Sequence, residues 1–290
     1  MLINLNGKMV PKEKAVVSVF DHGLLYGDGI FEGIRVYSNN VFRLRDHIER
    51  LYDSAKFLNM DIGMKQEDMI KQVVETVKAN KLKDGYIRLV VTRGVGDLGL
   101  DPRKCTEGVT FFIIAANISL YPEELYKNGM FITTVAVRRN LSETLEPRVK
   151  SLNYLNNILA KMEAGNHGSA EAIMINNLGH VAEATGDNVF HIKKGKLYTP
   201  TLTSGALGGM TRRTVLEIGE ELKMDVFETI VTRYDLYTAD ECFLTGTAAK
   251  VIPVTRIDGR AIGEGVPGPF TKKILAEFKK KTVTMGVKVK

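Results

Sequence analysis

The spacing of hydrophobic residues predicts two amphipathic helices in the first third of the chain. Apolar side chains recur at intervals of three and four residues over 44–58 and again over 69–77. This interval matches the turn of an α-helix, so each segment carries an apolar stripe along one side. We therefore expect two helices that pack their stripes against a sheet.

Apolar and β-branched runs around these helices predict strands. Residues 31–37 and 41–44 flank Ser38-Asn39-Asn40, and asparagine tolerates the positive φ of a tight hairpin turn. Residues 86–92 and 109–116 predict two further strands. The second is a continuous apolar run, which is typical of a strand that is buried on both faces.

The second half of the chain continues this mixture of strands and helices. Apolar residues from Leu152 to Met162 predict a helix that begins directly after Lys150. The other expected elements are a strand at 130–137, short strands at 172–175, 180–183, 188–192 and 197–199, a helix from Thr211, strands at 242–245 and 251–257, and a helix around 270–278. Together these patterns predict the α+β class in both halves.

A break in the pattern predicts two domains. At 290 residues the chain reaches the length at which one core commonly splits in two. Proline interrupts regular structure within Tyr121-Pro122-Glu123-Glu124, and a strand pattern resumes near Met130. We predict a small N-terminal α/β domain at 1–120, a linker at 121–128 and a larger domain at 129–290.

Composition excludes several classes of function. The net charge of +6 is diffuse, and its C-terminal lysines are typical of a solvated helix end, so we expect no nucleic-acid partner. A basic binding module without catalytic activity remains an alternative hypothesis. Cys105 and Cys242 are far apart, so we expect neither a disulfide framework nor a metal site. We see no secretory signal and no apolar run of membrane-spanning length, and we predict a cytoplasmic protein with no membrane partner.

A glycine-rich segment resembles a dinucleotide-binding fingerprint. Gly94-Val95-Gly96-Asp97-Leu98-Gly99 follows a predicted strand, which would suit a nicotinamide enzyme. That chemistry requires the last glycine to open a helix, whereas Asp101-Pro102 and another strand follow. We interpret the segment as a loop between two strands.

Two other segments could bind an anion. Gly208-Gly209-Met210-Thr211 leads into a predicted helix, where backbone N–H groups and the helix dipole favour negative charge. Gly246-Thr247-Ala248-Ala249 follows a predicted strand. Taken alone, the first segment is as typical of a simple helix cap and the second of a small-residue turn.

Five segments in fixed order carry a family resemblance. They are Tyr26-Gly27-Asp28-Gly29-Ile30-Phe31-Glu32-Gly33-Ile34-Arg35, His47-Ile48-Glu49-Arg50-Leu51, Lys150-Ser151-Leu152-Asn153-Tyr154-Leu155, Glu183-Ala184-Thr185-Gly186-Asp187-Asn188-Val189-Phe190 and Thr245-Gly246-Thr247-Ala248. Together they resemble the class IV, or fold-type IV, pyridoxal-phosphate aminotransferases, most of all those for branched-chain amino acids. The resemblance implies a two-domain enzyme whose larger C-terminal domain has a barrel-like β core.

The resemblance also implies the roles of the cofactor-binding residues. Lys150 is the catalytic lysine that forms the internal aldimine with pyridoxal 5'-phosphate. Glu183 pairs with the pyridine nitrogen, Tyr154 bonds the phenolic oxygen, and Leu207 packs against the ring. The phosphate is held by Arg50, Met210, Thr211 and Thr247. An arginine and a helix N-terminus are well suited to a dianion.

The same resemblance implies a substrate site and an assembly. Tyr26, Phe31, Gly33, Tyr86 and Arg88 line the side-chain pocket, in which Gly33 leaves room for a bulky aliphatic group, while Thr247 and Ala248 hold the α-carboxylate. We expect ping-pong transamination of leucine, isoleucine and valine with 2-oxoglutarate by a homodimer or higher oligomer. Gly27-Asp28-Gly29 departs from many branched-chain enzymes and is similar to D-amino acid aminotransferases and aminodeoxychorismate lyases, which remain the alternatives.

Overall fold

The computed structural model describes residues 1–118 and 121–289 of the chain. These residues form two compact units, each with a sheet of its own. The first unit contains residues 1–118, 149–153 and 282–289, and the second contains residues 121–148 and 154–281. The predicted two-domain α+β class is confirmed, and one of the sheets curls into a half-barrel.

The regular elements alternate between strands and helices along most of the chain. The strands, in chain order, are β1 (Leu2–Leu5), β2 (Lys8–Pro11), β3 (Gly29–Tyr37), β4 (Asn40–Phe42), β5 (Gly85–Thr92), β6 (Thr110–Ala116), β7 (Met130–Arg138), β8 (Glu171–Ile175), β9 (Val181–Ala184), β10 (Asn188–Lys193), β11 (Lys196–Pro200), β12 (Val226–Thr229), β13 (Glu241–Gly246), β14 (Lys250–Ile257), β15 (Arg260–Ala261) and β16 (Gly286–Lys288). The helices, in chain order, are α1 (His22–Tyr26), α2 (Leu44–Phe57), α3 (Gln66–Ala79), α4 (Glu123–Asn128), α5 (Leu155–Asn166), α6 (Met210–Glu221), α7 (Arg233–Tyr237) and α8 (Pro269–Thr284).

The first unit is built on an antiparallel sheet in the order β16-β4-β3-β5-β6-β1-β2. The predicted hairpin is confirmed: Tyr37 pairs with Asn40, and the turn residues Ser38 and Asn39 have positive φ. Helix α2 packs on β3, and α3 packs on β1 and β6. Their apolar stripes are buried as expected, with Ile48 and Val73 fully enclosed in the core.

One prediction for this sheet is wrong. Strand β6 is not buried on both faces, because Phe111, Ile113 and Ala115 point into the core while Phe112 and Ile114 on the other face are half-exposed. Helices cover one face only of many antiparallel sheets, and side chains alternate between the faces. The apolar run therefore does not imply two covered faces.

The second unit is built on a mixed sheet in the order β12-β11-β10-β13-β14-β7-β8-β9, with β15 beside β14. Strands β7 and β8 are parallel, and α5 packs against both of them, as in a βαβ crossover. Strands β8, β9, β10 and β11 follow one another along the chain as predicted, but the expected meander is wrong: β8 and β9 form one hairpin, β10 and β11 form another, and β10 pairs next with β13 instead of β9. Strand β13 pairs antiparallel with β10 on one side and with β14 on the other, and the three strands carry a buried core that includes Val189, Leu244 and Ile252.

Helix α5 starts later than predicted, and its apolar stripe is exposed. It begins at Leu155 instead of directly after Lys150. Its buried residues include Ala160 and Ala164, whose small side chains allow close packing on β7 and β8. The apolar stripe instead faces outward: Leu155 is 66% exposed and Met162 is 61% exposed.

Residues 123–128 of the predicted linker form helix α4, which contacts β14. The predicted limits at 120 and 290 lie outside the described residues, and the domain limits stay a prediction. Among residues 1–118 and 121–289, we find no helix with the length and apolar character needed to cross a membrane.

Candidate active site

Lys150 lies in a short segment that runs beside strand β3 in the first unit. Its carbonyl accepts a hydrogen bond from the N–H of Phe31 at 2.9 Å, and Leu152 N–H donates to the Gly29 carbonyl. The backbone N–H of Lys150 donates to Ser54 Oγ on α2. Backbone pairing to a buried strand therefore fixes the base of this half-buried side chain.

The ring of Phe31 is contacted by two cations. Lys150 Nζ lies 4.6 Å from the ring centroid, and the guanidinium carbon of Arg88 lies 4.5 Å from it. Arg88 also lies over the Tyr86 ring, at 5.5 Å from the centroid. Tyr86 and Arg88 alternate along β5 and therefore share one face. These four predicted site residues thus come together within one unit.

Gly33 makes room for Tyr86. A Cβ atom at Gly33 would lie 2.1 Å from the Tyr86 hydroxyl oxygen, which is closer than any non-bonded contact allows. The Tyr86 hydroxyl therefore occupies the space beside Gly33, and the role of Gly33 in admitting a bulky aliphatic group stays a prediction. Glycine at position 33 thus allows the close approach of the Tyr86 side chain to β3.

Arg50 is held by a carboxylate that the sequence reasoning did not single out. Its Nε and Nη2 atoms donate to the two oxygens of Glu32, each at 2.8 Å, and His47 Nδ1 lies 2.7 Å from Glu32 Oε2. Glu32 is fully buried. Burial alone would raise the pKa of Glu32, but the charge of Arg50 and the hydrogen bonds from Arg50 and His47 hold it well below its usual range.

Glu183 lies on strand β9, and both of its carboxylate oxygens accept hydrogen bonds. Oε1 pairs with Nη2 of Arg139 at 2.8 Å, and Oε2 accepts from Asn188 Nδ2 at 3.1 Å and from the Leu207 N–H at 2.9 Å. Arg139 also donates to the Gly205 carbonyl and to Asn157. One oxygen thus faces a guanidinium group and the other faces two N–H donors. Leu207 is thus joined to Glu183 through its backbone.

The first turn of α6 carries the predicted anion-binding residues of the second unit. Gly209 precedes the helix without a side-chain cap, and Met210 and Thr211 are buried at its start. A Cβ atom at Gly209 would lie 2.2 Å from Asn188 Oδ1, so glycine allows the close approach of this turn. Thr247 and Ala248 form the turn between β13 and β14, and α6 packs against β13.

The two remaining predicted site tyrosines each lie at the end of a helix. Tyr154 is half-buried and directly precedes α5. Tyr26 ends α1, and its hydroxyl donates a short hydrogen bond to the Leu98 carbonyl in the glycine-rich segment. That segment is a loop between β5 and β6, as predicted.

Several residues beside the predicted site were missed by sequence reasoning. Glu32, His47 and Asn188 lie inside the motif segments, so their positions were a usable signal. Arg139 lies outside every motif, and one arginine at a strand end has no periodic or spacing signal. In residues 1–118 and 121–289, we find no group of three or more His, Cys, Asp or Glu side chains arranged to hold a metal ion.

Comparison with known proteins defines the class. The family model described as amino-transferase class IV matches residues 29–257. A Methanocaldococcus jannaschii protein, provisionally named a branched-chain-amino-acid aminotransferase, is 52% identical over 289 residues, which cover 100% of this chain and 99% of the relative.

Two crystal structures share the fold. That of the Escherichia coli branched-chain amino acid aminotransferase matches with a TM-score of 0.94 and 35% identity over 96% of this chain and 93% of that chain. The Thermobaculum terrenum branched-chain amino acid aminotransferase, in its PLP form, matches with a TM-score of 0.88 and 32% identity over 97% of this chain and 93% of that chain.

Fold and sequence therefore make this protein an aminotransferase. The chain belongs to the class IV aminotransferase family, and it resembles the branched-chain members. The family resemblance drawn from the five motif segments is confirmed.

Proposed function

We propose that this enzyme transfers amino groups between branched-chain L-amino acids (leucine, isoleucine and valine) and 2-oxoglutarate. We also propose that it uses pyridoxal 5'-phosphate attached to Lys150, by a ping-pong cycle. The observation that carries the proposal is the placement of the Lys150 amine and the Arg88 guanidinium on the same aromatic ring, Phe31. Such an arrangement supplies a proton-transfer group next to an apolar surface and an anion-binding cation.

The residues present fit the cofactor. The family implies it, and the Thermobaculum terrenum neighbour is the PLP-bound holo form. In this chain, Arg50 is oriented by Glu32, and the N-terminus of α6 has no side-chain cap. We assign the phosphate to Arg50, Met210, Thr211 and Thr247, the pyridine nitrogen to Glu183, the phenolic oxygen to Tyr154, and one ring face to Leu207. When bound, the cofactor supplies an electron sink for the charge that develops at the substrate α-carbon.

Lys150 is the proposed proton carrier. Its backbone is fixed on both sides by hydrogen bonds to Phe31 and Ser54, so the flexible side chain has a defined base. A neutral amine at this position can take the proton from the substrate α-carbon. It can then deliver that proton to the cofactor carbon. Arg148 pairs with Glu146 and is largely exposed.

Glu183 is the proposed partner of the pyridine nitrogen. Arg139 compensates its charge in a buried setting, and Asn188 and Leu207 fix its second oxygen. A carboxylate that is kept ionised and immobile favours a proton on the nitrogen that it faces. That proton is what makes the ring an effective electron acceptor.

Substrate selection is assigned to the face of β3 and β5. The Phe31 ring suits an aliphatic side chain, and Arg88 and the Tyr86 hydroxyl suit the distal carboxylate of glutamate. Tyr26 and Gly33 complete the proposed wall, and the backbone of Thr247 and Ala248 would take the α-carboxylate. The names of the relatives favour branched-chain substrates over the alternatives.

Local structure accounts for the Gly27-Asp28-Gly29 departure. Gly27 has a φ of 69° and caps the C-terminus of α1, and Asp28 accepts two hydrogen bonds from Arg93. Arg93 in turn donates to the carbonyls of Leu58 and Asn59. These contacts give both residues a structural reason to be present, and we therefore retain branched-chain activity over a D-amino acid aminotransferase or an aminodeoxychorismate lyase.

We further propose a homodimer in the cytoplasm. Helix α5 exposes an apolar stripe at helical spacing to solvent. The stripe consists of Leu155, Ile158, Leu159 and Met162. Exposed apolar patches of this kind mark association surfaces. The two cysteines, Cys105 and Cys242, are free, as is usual in a reducing compartment.

A panel of amino donors tests the proposal. With 2-oxoglutarate as acceptor, we expect glutamate to form with L-leucine, L-isoleucine and L-valine and not with D-alanine. Formation of D-glutamate from D-alanine would replace this assignment with a D-amino acid aminotransferase. Release of pyruvate from aminodeoxychorismate would replace it with a lyase.

A further inference from the structure

Glu32 is a buried carboxylate with every oxygen engaged by α2. Its Oε1 accepts from Arg50 Nε, and its Oε2 accepts from Arg50 Nη2 and from His47. Two parallel N–H···O bonds define both the plane and the direction of a guanidinium group. Glu32 thus fixes the orientation of Arg50 as well as its charge.

The two partners of Glu32, His47 and Arg50, share one face of α2 with Ser54. His47, Arg50 and Ser54 are spaced by three and four residues, so they point to the same side of the helix. Ser54 accepts from the backbone N–H of Lys150, and the Lys150 carbonyl accepts from Phe31, the neighbour of Glu32 on β3. Glu32 therefore binds Arg50 directly, and it is next in sequence to Phe31, whose N–H bonds the Lys150 carbonyl.

His47 supports Glu32 without adding charge. Burial lowers the pKa of His47 despite the attraction of Glu32, and the positive charges of Arg50 and Lys150 lower it further. A neutral imidazole that donates from Nδ1 to the carboxylate leaves Nε2 as an acceptor, and this buried atom has no hydrogen-bond partner within the described residues. The Glu32 carboxylate therefore accepts hydrogen bonds from one cation, Arg50, and from one neutral donor, His47.

We propose that Glu32 is a positioning residue for phosphate binding, acting through Arg50 with His47 as its brace. Arginine has a long side chain whose freedom is lost when it grips an anion, and a side chain that is already fixed loses less. Glu32 prepares Arg50 in this way and does not itself touch the phosphate. The inference rests on the proposed role of Arg50.

Two physical effects make opposite predictions for Glu32→Gln. If Glu32 acted only by its negative charge, its removal would leave a more positive site and would tighten phosphate binding. If it acts by orientation, its removal frees the guanidinium and weakens phosphate binding. The proposal requires the second result.

The experiment compares two probes that differ only in the phosphate. Dissociation constants of pyridoxal 5'-phosphate and of pyridoxal are measured by absorbance titration of the apo forms of the wild type, Glu32→Gln, Arg50→Gln and Asp46→Asn. We expect the preference for the phosphorylated probe to fall by about ten- to a hundredfold in Glu32→Gln and Arg50→Gln. Asp46→Asn removes the carboxylate of another ion pair of α2, with Arg43, and should leave the preference unchanged.

The outcomes separate the two levels of the proposal. An unchanged or increased preference in Glu32→Gln, with a reduced preference in Arg50→Gln, overturns the role of Glu32 alone. An unchanged preference in Arg50→Gln refutes the proposed phosphate site instead. If Glu32→Gln does not fold, Glu32→Asp decides: it keeps the charge but withdraws the carboxylate, and it should still reduce the preference for the phosphorylated probe.

Discussion

The side-chain nitrogen of Lys150 lies 4.6 Å from the centroid of the Phe31 ring. The two residues are also joined by their backbones, because Phe31 N–H donates to the Lys150 carbonyl at 2.9 Å. A change in β3 therefore reaches Lys150 through two routes, the backbone pairing and the ring contact.

Gly33→Ala should impair substrate selection by displacing Tyr86. The new methyl group would overlap the Tyr86 hydroxyl, which lies 2.1 Å from the position of a Cβ atom. We expect kcat/KM for L-leucine to fall by about tenfold or more, as for overpacking in a well-packed site. The double variant Gly33→Ala/Tyr86→Phe lacks that hydroxyl and should recover part of the loss, measured by steady-state kinetics. No recovery would show that the contact with Tyr86 does not cause the defect.

Glu183→Gln should slow transamination. Arg139→Met should slow it as well and should, in addition, destabilise the fold. Loss of one charge interaction worth about 1.4 kcal/mol or more slows the reaction at least about tenfold. Arg139→Met leaves the buried Glu183 without its cation, which costs about 3–5 kcal/mol of unfolding free energy. Stopped-flow half-reactions and urea unfolding measure the two effects.

Arg43→Met is the matched control for Arg139→Met. Arg43 is similarly buried and pairs with Asp46, but it lies in the other unit and outside the proposed site. It should lower stability without changing the half-reaction with L-leucine. Equal slowing by Arg43→Met and Arg139→Met would remove the special role that we assign to the pair of Arg139 and Glu183.

Sequence patterns predicted most of the elements because their apolar spacing was regular. The stripes of α2 and α3 and the β3–β4 hairpin were identified for this reason. For α5 the spacing identified the helix, but a stripe does not say whether its own unit covers it. Small residues such as Ala160, which face inward, carry little signal in such patterns.

For the candidate site, the sequence pointed to the motif residues but not to all of the residues that hold them. Motif order pointed to Lys150, Glu183 and Arg50, but their partners depend on contacts between residues far apart in sequence. Arg139 precedes Glu183 by 44 positions, and only the sheet brings their side chains together. Such a partner has no local signal, and it requires the three-dimensional structure.

Asp187 should make stability depend on pH. Burial first, and then repulsion by Glu171 and Glu183, raise the pKa of Asp187 to about 7, while Lys161 and a hydrogen bond from Tyr121 oppose the rise. The folded chain therefore favours the neutral acid, relative to an ordinary pKa of 3.8. This contribution is complete below about pH 4, is lost as pH rises towards 7, and amounts to about 4 kcal/mol.

Asp187→Asn isolates this effect, because an amide stays neutral at every pH. The difference in unfolding free energy between the wild type and Asp187→Asn should change in favour of the variant from pH 5 to pH 8, as measured by urea unfolding. A difference that is the same at both pH values would show that Asp187 does not titrate in this range.

The exposed stripe of α5 should control assembly. Leu155→Glu/Met162→Glu places charges in a surface that we propose is buried between two copies, so we expect at least about a tenfold weaker dimer. Leu178→Glu is the control, because Leu178 is 77% exposed in the turn between β8 and β9 and does not belong to the α5 stripe. Sedimentation velocity measures the masses. Dimers of unchanged stability in the double variant would exclude α5 from the interface.

Borohydride reduction tests the central claim most directly. The holoenzyme is reduced, digested and mapped by mass spectrometry. A pyridoxyl group on Lys150, and its absence when L-leucine is added before reduction, is the predicted result. A pyridoxyl group on another lysine, or on none, would contradict the assignment of Lys150 as the catalytic residue.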